Sequence, residues 1–158
     1  MMTSEEIDYS NLSEEVLKQL ALSEDAFIAT EALGELSMRS SNTIIPVAKE
    51  ILSHSNSDIY LKSSALETLF DLDYPYAVNY ILHKVADCES YMLNSAMELL
   101  IEAELDLKSD SVQKIVSIIL NRIQKTGDKV HFPSAEVKFK FQDKFQARSP
   151  LIPAKQIF

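Results

Sequence analysis

Apolar residues recur at helical spacing in three segments that begin near Ser23, Asn56 and Cys88 and can be aligned with one another. Equivalent positions are offset by 33 and then 31 residues. The five columns are Phe27/Tyr60/Tyr91, Ile28/Leu61/Met92, Ala32/Ala65/Ala96, Leu33/Leu66/Met97 and Leu36/Leu69/Leu100. A repeat of this length is typical of stacked helical pairs, each of which buries its apolar face against its neighbours. The pattern predicts an all-α solenoid in which these columns form a buried face.

Each repeat divides into a first helix, A, and a second helix, B. The B helices are predicted at Thr43–His54, Pro75–Ala86 and Ser111–Lys125. The first A helix is predicted to begin at an N-cap, Ser23. Asp25, Asp58 and Glu89 occupy equivalent positions, and helix-start chemistry is the simplest interpretation of this acidic column. An extra helix at Ser13–Leu22 is predicted to cover the first repeat, because an end repeat otherwise exposes its apolar face.

The chain is predicted to form one domain of three parts: an N-terminal cap at 1–22, three helical pairs at 23–125 and a C-terminal capping segment with a tail at 126–158. The stretch from Val137 to Gln142 alternates apolar and polar residues, as a strand does. Val137, Phe141 and Phe145 also satisfy helical spacing, so helix and strand both stay open. In either form, Phe139, Phe141 and Phe145 are predicted to be at least partly buried against the last repeat.

The composition favours a helical protein without a membrane span or a disulfide. The 158 residues are 46% apolar and include only two glycines, which favours helices over the tight turns of a β protein. The N-terminus is acidic and lacks the apolar segment of a signal peptide, and no apolar run reaches the roughly 18 residues of a membrane span. The single cysteine cannot form an internal disulfide. We therefore expect a cytoplasmic protein that does not interact with membranes.

Charge is distributed unevenly around a net value of −9. Residues 1–108 contain six Lys/Arg and 20 Asp/Glu, a balance of −14, whereas residues 109–158 contain nine and four, a balance of +5. An acidic body disfavours nucleic-acid binding, which depends on neutralising phosphates with Lys and Arg. It favours either a basic protein partner or an internal contact with the basic C-terminal part.

The segment SSALETLFDLDYPYAVNYIL, residues 63–82, contains an Ala-Leu-x-x-Leu helix, an Asp-containing turn, a proline and an Ala-Val-x-x-Ile-Leu helix. This order resembles the HEAT family, particularly the short HEAT-like repeats also found in phycobilin lyases, and the resemblance covers roughly residues 23–125. It implies a right-handed α-α superhelix, and together with the residue patterns above we predict this superhelix with an N-terminal capping helix and a Phe-rich C-terminal element. The third repeat departs from the pattern, because it lacks the proline and has a longer turn. Since such repeats occur in scaffolds, transport receptors, lyase subunits, DNA-repair proteins and immunity proteins, the resemblance implies little about activity.

No motif in the chain points to catalysis. Phosphate-binding glycine loops and the G-x-S-x-G nucleophile pattern are both missing from the sequence. His54, His83 and His131 form no close pair, and zinc requires three or four converging ligands. Cys88 lies near a helix start, yet it occupies the position of Ser57 and Glu24 in the other repeats, and we do not select it as a nucleophile. We predict no catalytic, cofactor-binding or metal-binding residue and no enzymatic activity.

Three sets of side chains are candidates for partner binding. On the A helices, four equivalent carboxylates are predicted to form a row that meets a basic partner or the basic tail of the chain: Glu67, Asp71, Glu98 and Glu102. On the B helices, which line the concave side of such arrays, the candidates are Asn79, His83, Lys84 and Asn121. Tyr74 and Tyr76 flank Pro75, where aromatic side chains serve well in interfaces. Each set has an alternative interpretation. The carboxylate row could be a solvated helix face, the cations of the B helices could offset helix dipoles, and the tyrosines could pack between repeats.

Together these features predict a non-catalytic protein-binding module. Its most concrete form is a small acidic immunity or inhibitor protein that neutralises a basic toxin or enzyme, with charge complementarity speeding capture. A scaffold or assembly chaperone is the alternative binding role. A lyase-like subunit that binds a small ligand on the concave face is the alternative from another class.

Overall fold

The computed structural model describes residues 7–54, 57–126 and 133–146. Over these ranges the regular structure is helical and no strand is present. A short 3-10 helix, Tyr9–Asn11, is followed by α1 (Glu14–Ala21), α2 (Ala26–Met38), α3 (Ile44–Ser53), α4 (Ile59–Leu72), α5 (Tyr74–Lys84), α6 (Ser90–Glu102), α7 (Asp110–Thr126) and α8 (Ala135–Phe145). The chain divides into two compact units, Met1–Tyr74 and Pro75–Phe158. The predicted all-α class is confirmed for the described residues.

Carboxylates cap the first two A helices. The Asp25 side chain accepts hydrogen bonds from the amides of Phe27 and Ile28, and Asp58 does the same for α4. The helix-start interpretation of the acidic column is therefore confirmed at these two positions. Glu89 is also an N-cap residue, but its side chain makes no capping bond. The prediction that Ser23 caps the first A helix is wrong, because Asp25 takes that role and the helix begins at Ala26.

The first unit is built from α1 to α4. Helix α1 packs against α2, α3 packs against α4, and α2 contacts both α3 and α4. The predicted columns are buried at Ala32, Ala65 and the paired leucines that follow them in α2 and α4. The first column is an exception, since Phe27 and Tyr60 are 61% and 60% exposed. Both precede the first buried residue of their helix, Ala29 in α2 and Leu61 in α4, and therefore lie outside the buried stripe.

Helix α2 ends in a left-handed turn at Ser40, where φ is 53°. The Ser41 amide donates to the Leu36 carbonyl at 3.3 Å, and the Ser40 amide donates to the Ser37 carbonyl at 3.0 Å. This pair of bonds is the Schellman motif, which normally has glycine at the left-handed position. The motif satisfies the last carbonyls of α2 from its own backbone.

The second unit is closed by α8, which contacts α6 and α7. Ser134 caps α8 by accepting from the Val137 amide, so the strand alternative for this segment is wrong. Phe141 and Phe145 are 0% and 1% exposed, as predicted, and their rings are 4.6 Å apart. The prediction for Phe139 is wrong, because this side chain is 70% exposed. Two residues turn a helix by about 200°, so Phe139 and Phe141 cannot face the same neighbour.

Two cationic side chains donate hydrogen bonds to carbonyl groups at helix C-termini in the second unit. The Lys144 ammonium lies 2.8, 2.7 and 2.6 Å from the carbonyl oxygens of Leu100, Ile101 and Ala103, at the end of α6. The Arg122 guanidinium donates to the carbonyls of Val85 and Cys88, just after α5, at 3.0 and 2.9 Å. Cations at helix C-termini offset the negative end of the helix dipole. Compensation of a helix dipole therefore describes Arg122, and the compensated end is that of α5 rather than of its own helix α7.

Candidate functional site

A groove of about 570 Å³ runs between α2 and α4 in the first unit. Both helices contribute short side chains to it, and Ile45 at the N-terminal end of α3 also lines it. The lining residues are Thr30, Leu33, Gly34, Ser37, Ser40, Ser41, Asn42, Ile45, Ser64, Glu67, Thr68, Asp71 and Leu72. Hydroxyl groups and two carboxylates thus face a space that also has apolar walls. An amphipathic, cationic group is the chemistry that such a lining accepts.

Glu67 and Asp71 supply the negative charge of this groove. Both side chains are exposed and lie one turn apart on α4. Across the residues that the structure describes, neither carboxylate has a cation within ion-pair distance. Two cations of the first unit are paired with other carboxylates: Arg39 pairs with Glu35 at 2.9 Å, and Lys49 pairs with Asp73 at 2.9 Å. The two carboxylates therefore present their charge to solvent.

Glu98 and Glu102, the equivalent carboxylates of the second unit, have a different environment. Lys140 of α8 pairs with Glu136 at 2.8 Å, which raises the pKa of Lys140, and Glu102 and Glu98 raise it further. Glu98 also accepts a 2.5 Å hydrogen bond from Asn94, which is buried and whose side-chain oxygen accepts from the Ser134 amide at the start of α8. These two carboxylates thus lie in the field of the chain's own basic helix.

The candidate residues of α5 and α7 lie on the surface and do not line a described cavity. Asn79, His83, Lys84 and Asn121 are all exposed. The Nδ1 atom of His83 lies 2.8 Å from the carbonyl oxygen of Asn79, in the preceding turn of the same helix. The bond orients the imidazole along α5.

Tyr74 and Tyr76 differ in their burial. Tyr74 is 37% exposed, and its ring packs edge-on against Phe70 with the ring centroids 5.1 Å apart. Tyr76 is half-buried. The edge-on geometry is favourable for aromatic pairs, so Tyr74 contributes to packing at the end of α4.

Cys88 is held as a thiol. Burial raises its pKa, and the neighbouring Arg122 guanidinium, 3.6 Å from Sγ, lowers it by a smaller amount. A thiol kept protonated is a poor nucleophile, which agrees with leaving Cys88 out of the candidate site. Within the described ranges there is no group of three His, Cys, Asp or Glu side chains that could hold a metal ion. The helices seen there are also too short or too polar to cross a membrane.

A second cavity, of about 330 Å³, lies beside the N-terminal ends of α2 and α4. Its polar walls include Glu24, His54 and Asp58. The Asp58 carboxylate already accepts two backbone amides at the start of α4, so it serves the helix before any ligand. The groove between α2 and α4 is the stronger candidate, because neither of its carboxylates forms an ion pair with another described residue.

Sequence reasoning identified Glu67 and Asp71 but missed the groove that they line. Much of the rest of its lining consists of short or absent side chains, such as Gly34, Ser64 and Thr68, which leave no hydrophobic pattern in the sequence. One feature of the sequence could have indicated the groove: Gly34 stands at the position that Glu67 and Glu98 occupy in the other repeats. The contacts of Lys144 were not predicted, because a contact 41 to 44 residues away in the chain has no local signature.

Comparison with protein-family models, with curated proteins and with solved structures finds no match to this chain.

Proposed function

We propose that the protein is a non-catalytic, protein-binding module whose HEAT-like helical pairs form a right-handed superhelix, and that it binds a basic protein in the cytoplasm. Its concrete form would be an immunity or inhibitor protein that neutralises a basic toxin or enzyme. The observation that carries this proposal is the open groove between α2 and α4. Glu67 and Asp71 line it and form no ion pair with any cation in the described ranges, whereas Glu98 and Glu102 lie near Lys140.

The charge of the chain supports the same conclusion. Residues 1–108 carry a balance of −14. Long-range attraction of this kind accelerates encounter with an oppositely charged protein, and salt weakens it beyond a Debye length of ~8–10 Å. A basic partner should therefore be captured quickly at low salt, with an association rate that falls as salt rises.

Affinity capture from native lysate, followed by association kinetics with the captured protein, tests the proposal. The wild type is compared with Glu67→Gln/Asp71→Asn and with Glu98→Gln/Glu102→Gln, which removes the same two charges from the equivalent positions of the second unit. We expect a basic partner whose association is slowed more by the first pair of substitutions. A partner that is acidic, or whose association rate does not change with salt, would refute the proposal.

A further inference from the structure

Gly34 is a glycine in the interior of α2 that neither the backbone nor the packing requires. Helix α2 continues from Ala26 to Met38 around it, and a Cβ atom added at Gly34 would meet no heavy atom within 4 Å. Glycine destabilises a helix interior relative to alanine. The structural consequence of its missing side chain is space, since Gly34 lines the groove opposite α4.

The second unit shows what long side chains do at the equivalent positions. Counted from the N-cap residues Asp25, Asp58, Glu89 and Ser134, the position of Gly34 is Glu98 in α6, and the positions of Ser64 and Thr68 are Lys140 and Lys144 in α8. There, Lys140 lies in the field of Glu98 and Glu102, and Lys144 reaches the last carbonyls of α6. The first unit has short side chains at these positions, and the groove stays open.

We propose that this groove binds an arginine side chain of a protein partner. The inference rests on the proposed function and names the group that the partner inserts. A guanidinium has five N–H donors and no acceptor, which matches the carboxylates of Glu67 and Asp71 together with the hydroxyl oxygens of the wall. The methylene stem lies against the apolar part of the lining, Leu33 and Leu72. The inserted cation takes the place that Lys140 occupies beside α6.

The probe is a blocked Gly-Arg-Gly tripeptide, titrated into the full-length protein and followed by amide chemical shifts. Its matched control replaces arginine by citrulline, which keeps the shape and removes the charge. We expect saturable shifts at the amides of Gly34, Ser64 and Thr68 with arginine, and none with citrulline. Glu67→Gln/Asp71→Asn should weaken binding at least tenfold, whereas Glu98→Gln/Glu102→Gln should leave it unchanged.

A second variant separates insertion from simple charge attraction. Gly34→Gln keeps both carboxylates, favours the helix and extends a side chain into the groove, so it should abolish the saturable shifts without lowering the melting temperature. If Gly34→Gln binds the tripeptide as well as the wild type, or if the shifts are spread over the acidic surface without saturation, the inference is wrong. Capture of a basic protein that survives Gly34→Gln would overturn this inference and leave the proposed function standing. Tripeptide binding without any basic partner would overturn the proposed function instead.

Discussion

Replacing Lys144 by methionine should destabilise the second unit more than the same change at Lys140, one turn earlier on α8. The Lys144 ammonium is half-buried and serves three carbonyls at the end of α6, at 2.6 to 2.8 Å. Hydrogen bonds to charged groups contribute about 1.5–3 kcal/mol each, but three bonds to one ammonium are not additive. We expect Lys144→Met to cost about 2 kcal/mol, because it leaves partly buried carbonyls unpaired while keeping the apolar stem.

The matched control is Lys140→Met, which removes the same charge from an exposed ion pair whose side chains are 56% and 73% exposed. Surface pairs of this kind contribute little, and we expect no measurable change. Urea unfolding at fixed pH is the assay. With a slope of about 2 kcal/mol per molar urea, Lys144→Met should lower the midpoint by about 1 M. Hydrogen exchange of the α8 amides should also accelerate in this variant alone. Equal effects of the two substitutions, or no effect of either, would show that the carbonyl contacts do not hold α8 in place.

Three further predictions follow from burial and capping. Phe141→Ala should cost about 3–5 kcal/mol in thermal or urea unfolding, whereas Phe139→Ala should leave stability nearly unchanged, because only the first side chain is buried. Asp58→Ala should cost about 1 kcal/mol, and Glu89→Ala should cost less, since only Asp58 accepts capping bonds. Burial raises the pKa of Cys88 above its ordinary value of 9.0, so alkylation should be slower in the native than in the unfolded protein. Because the native state keeps the thiol proton to higher pH than the unfolded state does, the free energy of unfolding should fall as pH rises above 9.0.

Helix type and the buried stripe were predictable from the sequence because both follow from local spacing. Ala32 and Ala65 lie at the centre of stripes whose period is that of a helix, and both are fully buried. The edge of each stripe was less predictable, since Phe27 and Tyr60 are apolar yet lie one position outside it. Ser23 was mistaken for an N-cap because serine and aspartate are both good caps, and local sequence does not decide between them.

Helix α8 shows where spacing alone fails. Val137, Phe139 and Phe141 alternate as in a strand, while Phe141 and Phe145 are one helical turn apart. The choice is made by long-range contacts: the buried Asn94 accepts from the Ser134 amide, and Lys144 reaches the end of α6. Neither contact has a local signature in the sequence. The groove between α2 and α4 was missed for a related reason, since the side chains that define it are short.

The contacts of the described cations bear on the two explanations of the uneven charge, an internal contact and a basic partner. A basic C-terminal part could neutralise the acidic body from within, yet Arg122 and Lys144 are bonded to backbone carbonyls at helix ends. On α8, the carboxylates Glu98 and Glu102 raise the pKa of Lys140. The internal explanation therefore applies to these two carboxylates of the second unit. Glu67 and Asp71 form no ion pair with the described cations of the first unit, and this difference is the reason for proposing that their groove accepts a basic group from a partner.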